Sequence, residues 1–124
     1  MIEQRDLLLV PFPFSDQSGR KVRPVIVISN EDFNNHSEDL VVVGVTSNVS
    51  KDKYTINLSS KNLDEGKLFT ACCIKTENIL KLDRELVIKK IGKIDKITLK
   101  NIISKLLEII SPWKEWKKST KKKL

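Results

Sequence analysis

Residues 85–111 read ELVIKKIGKIDKITLKNIISKLLEIIS, and the spacing of their apolar positions changes partway. As far as Ile94 the segment reads as a strand. Beyond Asp95, apolar residues fall at Ile97, Leu99, Ile102, Ile103, Leu106, Leu107 and Ile110, a helical spacing. Asp95 is the expected N-cap, because a short carboxylate can accept from the unpaired first-turn N–H groups, and Pro112 is the expected stop.

Upstream of this switch the chain reads as strands only. DLLLVPF (6–12) is the first, with Pro11 and Pro13 placed at a strand end or edge because proline removes a ladder donor. SDQSGRK (15–21) is a loop by composition. Pro24 then starts PVIVIS (24–29), a β-branched run expected to form a buried strand. NEDFNNHSED (30–39) reads as a second loop. LVVVGVTSN (40–48) is a strand in which Gly44 marks a bulge or sharp bend. YTINLSS (54–60) alternates as a half-buried strand. GKLFTACCIKTENIL (66–80) begins as a strand and drifts into a turn. Several short strands followed by one helix give an α+β domain, and short curved strands suggest a small closed barrel. One domain is expected over 1–112, followed by a basic, flexible tail at 113–124.

Composition narrows the function. A 124-residue chain with 40% hydrophobic and 31% charged residues fits one globular domain. Its longest apolar runs are far too short to span a membrane, and the N-terminus has no secretory pattern. Cys72 and Cys73 are adjacent, a poor arrangement for a structural disulfide, so a reducing cytoplasm is the expected location. The net charge of +7 is uneven: residues 1–66 carry −3 and residues 67–124 carry +10, with six lysines in the last eleven positions. A basic half favours polyanions, because each neutralised phosphate releases counterions; a solvated tail is the plainer account of the terminal lysines.

The same residues exclude much chemistry. His36 is the one histidine, and the paired cysteines lack metal-ligand spacing, so no metal site is expected. No nucleophile motif accompanies His36, and the glycines are too few for a nucleotide cradle, so no cofactor is expected either. What remains is chemistry that a cation and a hydroxyl can run on a bound polyanion. RNA carries its own nucleophile, the 2′-hydroxyl, and the enzyme then has to stabilise a phosphorane and move protons. Guanidinium suits the first task, since its planar fork matches two phosphate oxygens and keeps its charge. Arg23, set before Pro24 and a rigid strand, is held where a tail lysine is not. Thr46, closing another strand, offers a hydroxyl. The plainer alternative is that Arg23 pairs with Asp16 or Glu3 and that Thr46 satisfies a turn. Spacing alone leaves both readings open.

Three segments in order carry a resemblance: RDLLLVPFPFSDQSGRKVRPVIVIS, then VVVGVTSN, then GKLFTACCIKTENILKLDRELVIKKIGKI. Over residues 4 to about 110 the chain resembles the MazF/PemK family of toxins from bacterial type II toxin–antitoxin pairs. The resemblance implies an SH3-like β-barrel with a C-terminal helix, usually a homodimer. It implies a metal-independent endoribonuclease that cuts single-stranded RNA, often mRNA, at short sequences and leaves a 2′,3′-cyclic phosphate and a 5′-hydroxyl. The family's catalytic arginine falls on Arg23 and its threonine on Thr46. The first loop, 14–22, is expected to close over RNA and to be displaced by the antitoxin, which makes Asp16, Gln17, Ser18, Gly19, Arg20 and Lys21 expected RNA contacts. Ser47 and Lys75 are expected contacts beside them. Two departures stand out. Relatives usually begin the first strand with Gly-Asp, where this chain has Arg5-Asp6. Some carry an aspartate, proposed as general base, at a position that reads here as Cys72. The different-class alternative is a non-catalytic barrel that binds nucleic acid or a protein through its basic half. The very apolar last helix favours a dimer, although capping the barrel is the more ordinary use for it.

Overall fold

The computed structural model describes residues 1–12, 21–50 and 52–112. Its strands are β1 (Asp6–Phe12), β2 (Lys21–Val27), β3 (Asp39–Thr46), β4 (Thr55–Leu58), β5 (Leu63–Gly66), β6 (Cys72–Asp83) and β7 (Lys89–Ile94). Two α-helices join them, α1 (Glu31–Asn35) and α2 (Lys96–Ile110), with 3-10 turns at Ser60–Asn62 and Arg84–Leu86. The strands form one antiparallel sheet in the order β4-β6-β3-β2-β1-β7-β5. The expected small barrel with a C-terminal helix is realised as a curled half-barrel. No helix among the described residues is long and apolar enough to cross a membrane.

The sheet is buried on both faces at its centre, which is why its strands read as continuous apolar runs rather than strict alternations. Leu7, Ile26, Val43, Val45 and Ile74 point to one side, where Ile102, Leu99 and Leu106 of α2 pack on them. Leu8, Val10, Val25, Val27, Val42 and Leu82 point to the other, under Leu86 and Val87. Helix α2 starts as its sequence indicates: the Asp95 side chain accepts from the Thr98 amide at 2.8 Å.

Prolines end ladders here. Pro11 lies beyond the β1–β7 ladder, whose last pair is Leu9 with Lys89. Pro24 sits within β2 rather than at its start, because β2 begins at Lys21 and pairs with β1 from there. On its other side the β2–β3 ladder stops next to Pro24, at Val25 opposite Gly44. β2 and β3 are thus unpaired with each other from Pro24 outward.

Three other readings are corrected. The loop expected at 30–39 holds α1, whose first turn is capped by the Asn30 side chain accepting from the Phe33 amide at 3.0 Å. β5 has the sequence LDEG, with one apolar residue, and gives no strand signal; it forms because Gly66, at φ +86, lets the backbone approach Ile91 and Gly92 of β7. The segment expected to drift into a turn continues as β6. Its register breaks between Val43 opposite Ile79 and Gly44 opposite Lys75, so Thr76, Glu77 and Asn78 have no partner on β3. The irregularity lies at Gly44 as its sequence suggests, but the extra residues are on the facing strand.

The Arg5-Asp6 departure has a local explanation. Arg5 holds φ +80, a conformation that glycine adopts freely and other residues at a cost. Its guanidinium offsets that cost by donating to the Ile94 carbonyl at 2.8 Å and the Asp64 carboxylate at 2.9 Å. Asp6 is fully buried, accepts from the Glu3 amide at 2.8 Å and lies 3.3 Å from the Lys90 ammonium.

Candidate active site

A cleft of about 380 Å³ opens where β2 and β3 part, lined by Phe12, Arg23, Pro24, Thr46, Lys75 and Glu77 among others. Arg23 is half-buried, pairs with Val10 of β1, and holds its guanidinium 5.2 Å from the centre of the Phe12 ring. A cation over an aromatic face is attracted without being neutralised. Arg23 enters no ion pair among the described residues, and Glu3 pairs instead with Lys93 at 2.6 Å. The alternative of a Glu3–Arg23 pair is therefore excluded; Asp16 lies outside the described residues.

Thr46 faces the same cleft. Continuing the register two residues past Val25 opposite Gly44 sets Arg23 and Thr46 across from each other, with their side chains on one face. The Thr46 Oγ1 accepts from the Asn48 amide at 3.1 Å, so the threonine does satisfy a turn. Accepting leaves its hydroxyl proton free to donate into the cleft.

Lys75, opposite Gly44, shares this face. Its Nζ lies 3.1 Å from the Asp52 carboxylate and 3.8 Å from Glu77. The hydrogen bond to Asp52 holds the Lys75 ammonium above its usual pKa, against the opposing effect of burial, and in return holds the Asp52 carboxyl below the usual range. Lys75 therefore stays cationic across the neutral range.

The cleft thus gathers Arg23, Thr46 and Lys75. Lys21 is exposed at the start of β2, and Ser47 is exposed in the turn after β3; neither lines the cleft. Asp16, Gln17, Ser18, Gly19 and Arg20 lie outside the described residues.

Cys72 does not belong to this site. It packs with Leu7 and Ile74 in the core beneath α2, and burial pushes its thiol pKa up. Cys73 is the cysteine opposite Thr46, and it is fully buried, donating to the Ser50 carbonyl and to Asn57 Oδ1 at 3.7 Å each. Among the described residues, the carboxylate that does reach the cleft is Glu77, on the β6 bulge, with Asn78 beside it. Thr76 anchors that bulge from within, buried and donating to the Tyr54 carbonyl at 2.6 Å. Both residues were missed by pattern reading, and the signal was present: a polar Thr-Glu-Asn triplet interrupts an otherwise strand-like segment.

Comparison with known proteins places the chain in a family. Residues 3–110 match the family model described as PemK-like, MazF-like toxin of type II toxin-antitoxin system. The chain belongs to that toxin family. Solved MazF-like structures share its fold. An endoribonuclease in complex with its cognate antitoxin from a mycobacterial species aligns at TM-score 0.70 and 16% identity, covering 91% of this chain and 99% of that one. The Mycobacterium tuberculosis toxin MazF-mt6 gives 0.68 and 14%, over 84% and 94%. A MazE–MazF structure from Deinococcus radiodurans gives 0.71 and 17%, over 88% and 95%. At such identities the likeness concerns the fold. No match was found among curated proteins.

Proposed function

We propose that this MazF-like toxin is a metal-independent, sequence-selective endoribonuclease that cuts single-stranded RNA, including mRNA, in the cytoplasm and is neutralised by a cognate antitoxin. The observation that carries this reading is the cleft itself: an Arg23 cation with no ion pair among the described residues faces the Thr46 hydroxyl, with the Glu77 carboxylate in the same 380 Å³ space. Family membership supports it, as do relatives whose structures are described as an endoribonuclease and as toxins bound to antitoxin.

The residues take distinct roles. Glu77 accepts the proton of the RNA 2′-hydroxyl, whose oxygen attacks the neighbouring phosphorus. Arg23 stabilises the charge that grows on the phosphorane, and Thr46 donates to a non-bridging oxygen and fixes the phosphate. The bond from phosphorus to the 5′-oxygen breaks, and that oxygen takes a proton from solvent while the fixed charge of Lys75 offsets the negative charge developing on it. The products are a 2′,3′-cyclic phosphate and a 5′-hydroxyl, with no atom taken from the protein.

Arg23→Ala tests the reading. The variant should lose at least about 10²-fold in cleavage rate, the scale of removing one preorganised donor, while its melting temperature stays at the wild-type value. Wild-type cleavage by Arg23→Ala would overturn the assignment. Intact RNA with the wild-type protein, together with tight and salt-sensitive binding, would favour the non-catalytic barrel.

A further inference from the structure

Phe69 is 96% exposed, in the short connection between β5 and β6. Its position is nonetheless held. Leu68 beside it packs into the core cluster beneath α2, and Ser60 clasps Leu68 from both sides, with Oγ donating to the Leu68 carbonyl at 3.1 Å and accepting from its amide at 2.9 Å. A neighbour turned into the core and pinned in this way leaves the phenyl ring presented outward. Such presentation costs apolar hydration and contributes no packing, so the fold itself does not account for it.

Placement and charge say what the ring faces. Thr46 pairs with Cys73 at the start of β6, so the 67–71 connection leaves the sheet at the same end as the cleft. Three residues separate Phe69 from Cys73, so their Cα atoms are at most about 14 Å apart, a span of a few nucleotides. Lys67 lies two residues before the ring and Lys61 lies beside Ser60; both are exposed, and neither enters an ion pair among the described residues. An exposed aromatic ring on a backbone held at its neighbour, with unneutralised cations nearby in the chain, is the kind of surface that binds single-stranded nucleic acid, lysines following phosphates while a base stacks on the ring.

We propose that Phe69 is a base-stacking subsite for single-stranded RNA, holding a nucleotide a few positions from the phosphate that Arg23 and Thr46 engage. The proposal rests on the ribonuclease reading for which phosphate is cut, but not for the stacking itself. Phe69 is a binding and specificity residue and takes no part in bond making.

Kinetics and binding on a mixed-sequence oligoribonucleotide separate the two. Phe69→Ala should raise KM roughly tenfold or more, the scale of one lost base stack, with a smaller fall in kcat and a loosened choice of cleavage site. Phe69→Trp should restore KM, which a merely structural role would not require. Equal KM and equal site choice in wild type and Phe69→Ala would overturn the subsite while leaving the ribonuclease reading intact. Binding without cleavage, weakened in Phe69→Ala, would overturn the ribonuclease reading and keep the subsite. Unchanged RNA parameters with weakened inhibition by the antitoxin would assign the ring to a protein partner and overturn the proposal.

Discussion

At the scale of single residues, the proposed chemistry turns on Glu77 and Lys75, two positions apart on β6 yet facing one cleft with opposite charge. Lys75 is tied to Asp52, so its charge is already fixed; among the described residues Glu77 is the carboxylate that lines the cleft, and in the proposed reaction it takes the proton. Glu77→Gln keeps the shape and removes the proton acceptor. It should cost about 10²–10⁴-fold in kcat, the usual contribution of general base catalysis. An unchanged kcat would assign the base elsewhere. The Asp52–Lys75 tie has its own pH window. Asp52 titrates below its unfolded value, so the tie is complete above that value and is lost as pH falls through the depressed one. Lys75 titrates above its unfolded value, so the tie is complete below that value and is lost as pH rises through the raised one. Arg23 and Thr46 were legible as candidates because Arg23 stands directly before an apolar run and Thr46 closes one, but nothing in one dimension sets them opposite each other. That juxtaposition comes from the β2–β3 register and from Pro24 ending the ladder. Glu77 was hidden because a bulge looks in sequence like the end of a strand.

At the scale of elements, the start of β1 carries the chain's own solution to a backbone problem. Arg5 holds a positive φ that costs a non-glycine residue about 1–2 kcal/mol, and its bonds to the Ile94 carbonyl and Asp64 offset that cost. Arg5→Ala keeps the strain and loses the bonds, so it should destabilise the fold by about 1–2 kcal/mol. Arg5→Gly loses the bonds and also the strain, and should lie closer to wild type. Denaturant melts of the three proteins check the order, and Arg5→Gly falling below Arg5→Ala would contradict it. Elements were readable where their physics is local. β1 begins and ends where its apolar run does, and α2 is bracketed by Asp95 and Pro112 as its spacing requires. β5 was unreadable, because LDEG becomes a strand only through the backbone approach of Gly66 to β7. α1 was unreadable for a related reason: five polar-rich residues carry no periodicity, and Asn30 decides the matter by capping.

At the scale of the whole molecule, one surface and one charge asymmetry point outward. Helix α2 turns Ile102, Leu99 and Leu106 inward, yet leaves Ile103, Leu107 and Ile110 exposed at helical spacing. That second stripe exceeds what capping the sheet requires, and it fits the homodimer expected of the family. Sedimentation at micromolar protein should give a two-chain mass against 14.2 kDa for one chain, and Leu107→Lys should shift it toward the single chain; a wild-type monomer would contradict the dimer. Fold class was legible at this scale because the apolar period changes once, at Asp95, and all seven described strands precede the change. The charge of +10 over residues 67–124 favours a polyanionic partner, in keeping with the RNA proposed above. The central claim is met most directly by incubating the purified protein with mixed-sequence single-stranded RNA in excess chelator and determining the ends of the fragments. The account predicts cuts at a restricted set of sequences, each leaving a 2′,3′-cyclic phosphate and a 5′-hydroxyl. Intact RNA, or cuts that leave a 5′-phosphate, would contradict it.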